Sequence, residues 1–249
     1  MFWGVKSHWT DFFWSKDVAW GIELHENEED IYSFFDEQKA VVQAFGRPVA
    51  VHVPIYIKRK LFGLSDDSEL EIAVRCAGLG KILVVHIDAT NERVYDRLSE
   101  LLDRTESLIC VENRPGISRS MHGMSSHDDF RKLFSRVDHR RLGIAFDIAH
   151  LYMGPEPEAN LDGFMSDLTE KVRHVHIVDS DGIVERQIGY GIVDFDRVFA
   201  RLAKLKRDVM VVPEVASGQL YRGAGFRYAI EKLSGYPINL RPASASSWP

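Results

Sequence analysis

Residues 142–178 read LGIAFDIAHLYMGPEPEANLDGFMSDLTEKVRHVHIV, and an apolar segment stands at each end of this stretch, 142–147 and 172–178. Each carries a metal-capable side chain near its close, Asp147 in the first and His176 in the second. Such near-continuous apolar segments suit strands covered on both faces. Outward from here the same kind of segment recurs at 2–6, 20–24, 49–53, 82–87, 108–112 and 209–214, which completes a set of eight. The gaps carry helical spacing, as in Ile31, Phe34, Phe35, Val41, Val42 and Phe45, or Val94, Leu98, Leu101 and Leu102. Strand and helix in alternation imply a parallel sheet, and eight units of roughly 30 residues match a closed (β/α)8 barrel. The expected fold is therefore α/β, a TIM barrel with a parallel eight-stranded sheet and outer helices. Residues 1–239 are expected to form a single domain and the Pro/Ser/Ala-rich 240–249 (LRPASASSWP) a tail. An open doubly wound sheet is the alternative, but no glycine-rich dinucleotide fingerprint follows the first segment. The gap 7–19 is short and aromatic, which predicts a stunted first helix or a loop.

With 45% hydrophobic and 27% charged residues among 249, the chain has the composition of an ordinary soluble protein. It lacks both a bilayer-length apolar run and the apolar core of a secretory signal, so a cytoplasmic location is expected. Cys76 and Cys110 make no disulfide framework and read as buried thiols. A net charge of −6 argues against a broad nucleic-acid surface.

Six consecutive segments close alike: VAVHV, ILVVHI, LICVEN, GIAFDIAH, VRHVHIVDS and VMVVPEV supply His52, His86, Glu112, Asp147, His176 and Glu214. In a parallel barrel all strand C-termini open on one face, so these distant residues would converge. Imidazoles and carboxylates at the edge of a dry core are costly unless hydrogen-bonded or bound to a cation. Taken singly, each is more simply a helix cap or a salt-bridge partner; six in register favour a metal. The ligand mixture suits Zn²⁺, Mn²⁺, Fe²⁺ or Co²⁺, with Mg²⁺ kept in the set, at one or two sites. His150, three residues after Asp147, either completes a second site or touches substrate.

The ordered set AVHVPIY, VVHID, VENRPG, FDIAH, HVHIVDS, GYGIVDF and VVPEV resembles the xylose isomerase-like TIM-barrel superfamily. That superfamily includes sugar phosphate isomerases and epimerases and the endonuclease IV type of apurinic endonuclease. The resemblance implies a shared metal site of Glu112, Asp147, His176 and Glu214. In the endonuclease branch it implies His52 and His86 as further ligands, Glu112 as a bridge and His150 at a third zinc. The Asp-x-His pair expected for that third zinc is absent, since residues 183–187 read IVERQ. Some keto-sugar epimerases place a substrate-binding arginine six residues after the ligand histidine; that position here is Gly182, and Arg186 is the nearest candidate. The family's Gly-Glu-Gly is Gly189, Tyr190, Gly191, so Tyr190 either contacts substrate or packs.

Two chemistries follow. In the first, Glu112 and Glu214 remove and return a proton on a sugar or sugar phosphate beside a metal that stabilises an enediolate. In the second, two ions sharing Glu112 hydrolyse a phosphodiester, with abasic DNA as the substrate. That reading needs a DNA groove, and the local basic run Lys58, Arg59, Lys60 is more simply a solvated loop. A non-catalytic metal-binding barrel is a third reading. Trp3, Trp9, Phe12, Phe13, Trp14 and Trp20 either wall a substrate pocket, with Trp9 as a contact, or replace a missing helix or bury a homodimer interface. Glu23 and His25 close the second segment and reach the mouth only if strand alternation turns them inward. His8, His122, His127, His139 and His174 read as loop or surface residues. Arg114 and Arg119 meet either an anionic substrate group or Asp128 and Asp129.

Overall fold

A computed structural model describes residues 1–8, 11–25, 27–58, 60–115, 123–215 and 220–239. Eight parallel strands close a barrel: β1 (Phe2–Ser7), β2 (Gly21–His25), β3 (Val49–His52), β4 (Ile82–Val85), β5 (Leu108–Glu112), β6 (Leu142–Asp147), β7 (Val172–Ile177) and β8 (Met210–Pro213). Each pairs with the next, and β1 closes the ring by pairing with both β2 (Val5 opposite Ile22) and β8 (Phe2 opposite Met210). The expected fold class is the observed one. The residues 240–249 expected as a tail lie outside the described ones.

Helices fill the gaps: α1 (Phe12–Ser15), α2 (Glu28–Ser33), α3 (Phe35–Phe45), α4 (Asp67–Ala77), α5 (Arg93–Arg104), α6 (His127–Arg136), α7 (Ile148–Met153), α8 (Pro157–Asp167), α9 (Phe195–Leu202) and α10 (Leu220–Lys232). The first is only four residues long, as its short aromatic gap predicts. Local chemistry sets several starts. Asp66 caps α4 by accepting from Glu69 N, and Ser126 and Asp129 form a reciprocal capping box on α6.

Strand pleating explains why the strands are apolar on both sides. One set of residues, Leu24, Val51, Leu83, Ile109, Phe146 and Val175, packs outward against the helices. The alternate set, Phe2, Ala50, Val84, Cys110, Ala145, Met210 and Val212, fills the barrel. Trp20 packs on this inner cluster from the N-terminal end, with the Arg47 guanidinium 4.6 Å from its ring centre. Trp3 and Phe12 are buried in the outer core. Trp3 and Phe12 are thus taken up by packing against the helices, and Trp20, which immediately precedes β2, sits at the face opposite the strand C-termini. Trp9 lies outside the described residues.

After β7, Asp179–Ser180 pairs antiparallel with Glu185–Arg186 in a short ribbon over the barrel mouth. Buried Asp179 anchors it: Oδ2 accepts from Gly189 N and Gly191 N (both 2.9 Å), and Oδ1 from Ser180 N (2.9 Å) and Val193 N (3.1 Å). A Cβ at Gly191 would run into the Asp179 side chain, so glycine is required there. Asp179→Asn replaces one accepting oxygen by a donor and is expected to cost about 2–3 kcal/mol, read as a lower urea midpoint at unchanged slope.

Candidate metal centre and active site

The last inward position of each strand is polar all round the barrel: Lys6, His25, His52, His86, Glu112, Asp147, His176 and Glu214. His86 and Glu214 lie one residue past their strands, where the ladder continues through Glu214 N to Ile177 O at 3.2 Å. The structure thus brings together all six residues found at the segment ends and adds Lys6 and His25.

One ligand atom from each of Glu112, Asp147, His176 and Glu214 lies within 4.8 Å of the others. His176 Nδ1 stands 2.9 Å from Glu214 Oε2 and 3.7 Å from both Glu112 Oε1 and Asp147 Oδ2. Asp147 is fixed from two sides. Its backbone is clamped by Asn113, and Oδ1 caps α7 by accepting from His150 N at 2.6 Å. Its Oδ2 is buried and makes no hydrogen bond, and His176 Nδ1 and Glu214 Oε2, an ion pair 2.9 Å apart, are not aligned as one. Buried atoms of both ligand types converging on one point fit a divalent cation, which would satisfy them together.

The second group is His52, His86 and Glu112. Both imidazoles approach Glu112 Oε2, His52 Nε2 at 3.0 Å and His86 Nε2 at 2.8 Å. Their outer nitrogens differ. Arg114 Nη1 donates to His86 Nδ1 at 3.1 Å, and because a guanidinium can only donate, the His86 proton sits on Nε2 and serves Glu112. His52 Nδ1 donates to Val53 O at 2.7 Å, while its Nε2 faces Glu112 Oε2. Burial, with His52 and Arg114 nearby, pushes His86 down to about 4, so it is neutral at pH 7. Arg114 contacts neither Asp128 nor Asp129; Asp129 is taken up in the α6 cap.

Glu112 is the hub. Burial alone would raise its pKa, but His86, His150, His176 and His52 hold the carboxyl well below the usual range. His150 Nδ1 lies 3.0 Å from Glu112 Oε1 and from Asn113 O, and His150 Nε2 is 3.6 Å from Glu185 Oε1. Glu185 thus occupies part of the space in the stretch that lacks Asp-x-His. Tyr190 is 73% exposed on the same loop, and Arg186 pairs with Asp181 through Nη2 at 2.5 Å.

Lys6 and His174 escaped the sequence reading, and Glu23, a candidate for the mouth, lies in the layer beneath it. Lys6 pairs with Glu214 and lies 3.8 Å from Glu23 Oε1; despite burial, Glu214, Glu23 and Glu112 raise its pKa. Glu23 is wholly buried and accepts from His174 Nε2 (2.5 Å) and His176 Nε2 (2.8 Å). His174, expected at the surface, is 0% exposed, because it shares the inward face of β7 with His176 two residues on. The period-2 rule was the available signal: Gly4 and Lys6, Glu23 and His25, His174 and His176 are each same-face pairs. A cavity of about 190 Å³ opens beside this layer, lined by Lys6, His25, Glu185 and Glu214 with Ile55 and Phe226.

Residues 21–235 match the family described as xylose isomerase-like TIM barrel, and the chain belongs to it. No curated protein matches the sequence. Among solved structures, 3-keto-D-glucoside 4-epimerase YcjR from E. coli superposes with a TM-score of 0.69 at 18% identity, covering 94% of this chain and 99% of that one. D-psicose 3-epimerase from Clostridium cellulolyticum H10, solved with D-tagatose, gives 0.68 at 14% over 94% and 98%. The IOLI protein, solved with a bound zinc atom, gives 0.69 at 16% over 95% and 99%. No helix among the described residues is long and apolar enough to cross a membrane.

Proposed function

We propose that this protein isomerises or epimerises a sugar or sugar phosphate, moving a proton at carbon with two carboxylates beside a divalent ion held by Glu112, Asp147, His176 and Glu214. The observation that carries this reading is the convergence of buried ligand atoms from Glu112, Asp147, His176 and Glu214 on one point, with Asp147 Oδ2 left without a hydrogen bond. The epimerase structures with this fold support the substrate class, and the zinc in the IOLI protein supports the ion. Bound there, the ion supplies Lewis-acid polarisation of a carbonyl and stabilises the charge of an enediolate.

The chain's own residues do the rest. Glu112 and Glu214 rise from β5 and β8, so a substrate between them offers one carboxylate to each face. The ionised Glu112 takes the proton; Glu214, ionised as well, returns one from the other side by relaying it from the Lys6 ammonium that donates to it, and the site resets when Glu112 yields its proton to solvent and Lys6 takes one back. His25, which burial and the nearby Lys6 and His52 push down to about 2, is a neutral ring with an unbonded buried Nδ1 and can bind a hydroxyl, as can His150. Arg186, Tyr190 and Trp9 are proposed as further substrate contacts, with Arg114 acting on His86. A small carbohydrate in the cytoplasm is the proposed partner.

The His52, His86 and Glu112 group favours one alternative, a second ion bridged by Glu112 in a phosphodiesterase. Arg114 weighs against it, since it commits the His86 Nε2 proton to Glu112. A panel of ketoses and ketose phosphates assayed in deuterated water with Mn²⁺, Co²⁺ or Zn²⁺ tests the choice. Deuterium is expected at the epimerised carbon. Cleavage of an abasic-site oligonucleotide at catalytic rate, with no exchange on any sugar, would reverse the assignment.

A further inference from the structure

We infer that Glu23 is a positioning residue for the metal centre: its carboxylate fixes the tautomer and aim of His176, and His174 locks that carboxylate in place. The inference rests on the metal reading proposed above.

Glu23 sits one inward position below the polar layer and is 0% exposed. A carboxylate left alone there would carry a large desolvation cost, so its partners define its purpose. Oε2 accepts from His176 Nε2 at 2.8 Å and from His174 Nε2 at 2.5 Å. An ionised carboxylate only accepts, so both Nε2 atoms carry their protons. In a neutral His176 the lone pair is then on Nδ1, the atom that faces Glu112, Asp147 and Glu214. The hydrogen bond on one ring nitrogen thereby decides which nitrogen is free to coordinate, and it stops the ring from turning.

Glu23, His174 and His176 also lie close enough together to be taken for a metal site of their own. The hydrogen bonding separates the two groups. In the lower trio the facing atoms, Glu23 Oε2 and the two Nε2, are already joined to each other. In the upper group Asp147 Oδ2 makes no hydrogen bond, and His176 Nδ1 and Glu214 Oε2 meet at 2.9 Å without hydrogen-bond alignment. The trio is a support and the upper group is the site.

His174 has a reason to be there on this account. One bond from His176 would leave the Glu23 carboxylate free to swing; the second, from the same strand face, pins it. The other oxygen, Oε1, makes no hydrogen bond and faces Lys6 Nζ at 3.8 Å, while Lys6 itself holds Glu214. Glu23 is thus tied to His176 on β7 directly and to Glu214 on β8 through Lys6, so it braces two of the four ligands.

The test measures Zn²⁺ or Co²⁺ affinity by chelator competition, metal stoichiometry, and the visible spectrum of the Co²⁺-loaded protein, in wild type, Glu23→Gln and His174→Asn. Glu23→Gln is expected to weaken binding about 10–100-fold and to shift the cobalt bands. His174→Asn is expected to keep the wild-type stoichiometry and lose about tenfold or less. Unchanged affinity and spectrum in Glu23→Gln, with wild type binding metal, would overturn the positioning role alone. Loss of one metal equivalent in His174→Asn would overturn it too, by making the trio a site. Should Glu23→Gln not fold, ¹⁵N NMR of the wild-type imidazoles decides: the inference requires a proton on His176 Nε2 that survives Zn²⁺ loading, and a proton on Nδ1 in the neutral ring, or coordination through Nε2, defeats it. A wild type that retains no divalent ion removes the metal reading and this inference with it.

Discussion

Glu112→Gln is expected to lower kcat/KM by about 10²–10⁴-fold, the span associated with removing a positioned proton-transfer group. The substitution keeps the side chain's size but changes every contact it makes. His86 Nε2 is held as a donor by Arg114, and it points at Glu112 Oε2. An amide nitrogen in that position would set donor against donor, while an amide turned the other way would present the same conflict to His150 Nδ1 at Oε1. The loss of charge matters as much. Glu112 is 2% exposed, and it is the anion shared by His52, His86, His150 and His176. Removing one member of such a buried network costs about 3–5 kcal/mol. A lower melting temperature and reduced metal content by elemental analysis are therefore expected beside the kinetic loss. Full turnover in Glu112→Gln would take this residue out of the mechanism.

The barrel was legible because its strands are apolar on both faces, the pattern of a covered parallel sheet, and because there are eight of them. The bounds of β5 and β6 match the segments read from sequence, where an ionisable residue ends the apolar run abruptly. Elsewhere the ends move by a residue or two, as in β2, which runs on through His25. The convergence of His52, His86, Glu112, Asp147, His176 and Glu214 followed from the shared direction of parallel strands. The polar residues of β1 and β2 were harder to see, because they interrupt short segments and have no apolar run before them. Glu23 and His174 needed the pleat to be followed one layer down, since a buried ion pair of residues 151 positions apart leaves no local signal. The partner of Arg114 was unreadable for the same reason: His86 comes within reach only when β4 and β5 lie side by side. For the aromatic cluster the sequence left wall and packing open, and Trp3, Phe12 and Trp20 are taken up by packing.

Metal affinity is expected to fall steeply below neutral pH, and the protons responsible can be named. Burial, with the Glu112 and Glu214 carboxylates alongside, pushes Asp147 from 3.8 up to about 7. His176 is also raised well above its ordinary value; burial opposes this, but Glu23, Glu214 and Glu112 prevail. In the metal-free protein near pH 7, His176 carries a second proton and Asp147 is partly protonated. A divalent ion must displace both. Glu112 and Glu214 are held ionised well below this range and release nothing on binding. Each displaced proton contributes about one decade of affinity per pH unit below the relevant pKa, so a fall of about 10–100-fold between pH 7 and pH 6 is expected. For the metal-free fold the sign is the reverse: the stability that Asp147 contributes is full below 3.8, its unfolded value, and is lost as pH rises through about 7. Calorimetric titration with Zn²⁺ in buffers of different ionisation enthalpy would count the protons, with one to two expected per ion (roughly, from the same linkage). Asp147→Asn should remove one of them and flatten the slope accordingly. Affinity that stays constant from pH 6 to 8 would mean that the ion, if bound, does not sit among Asp147 and His176.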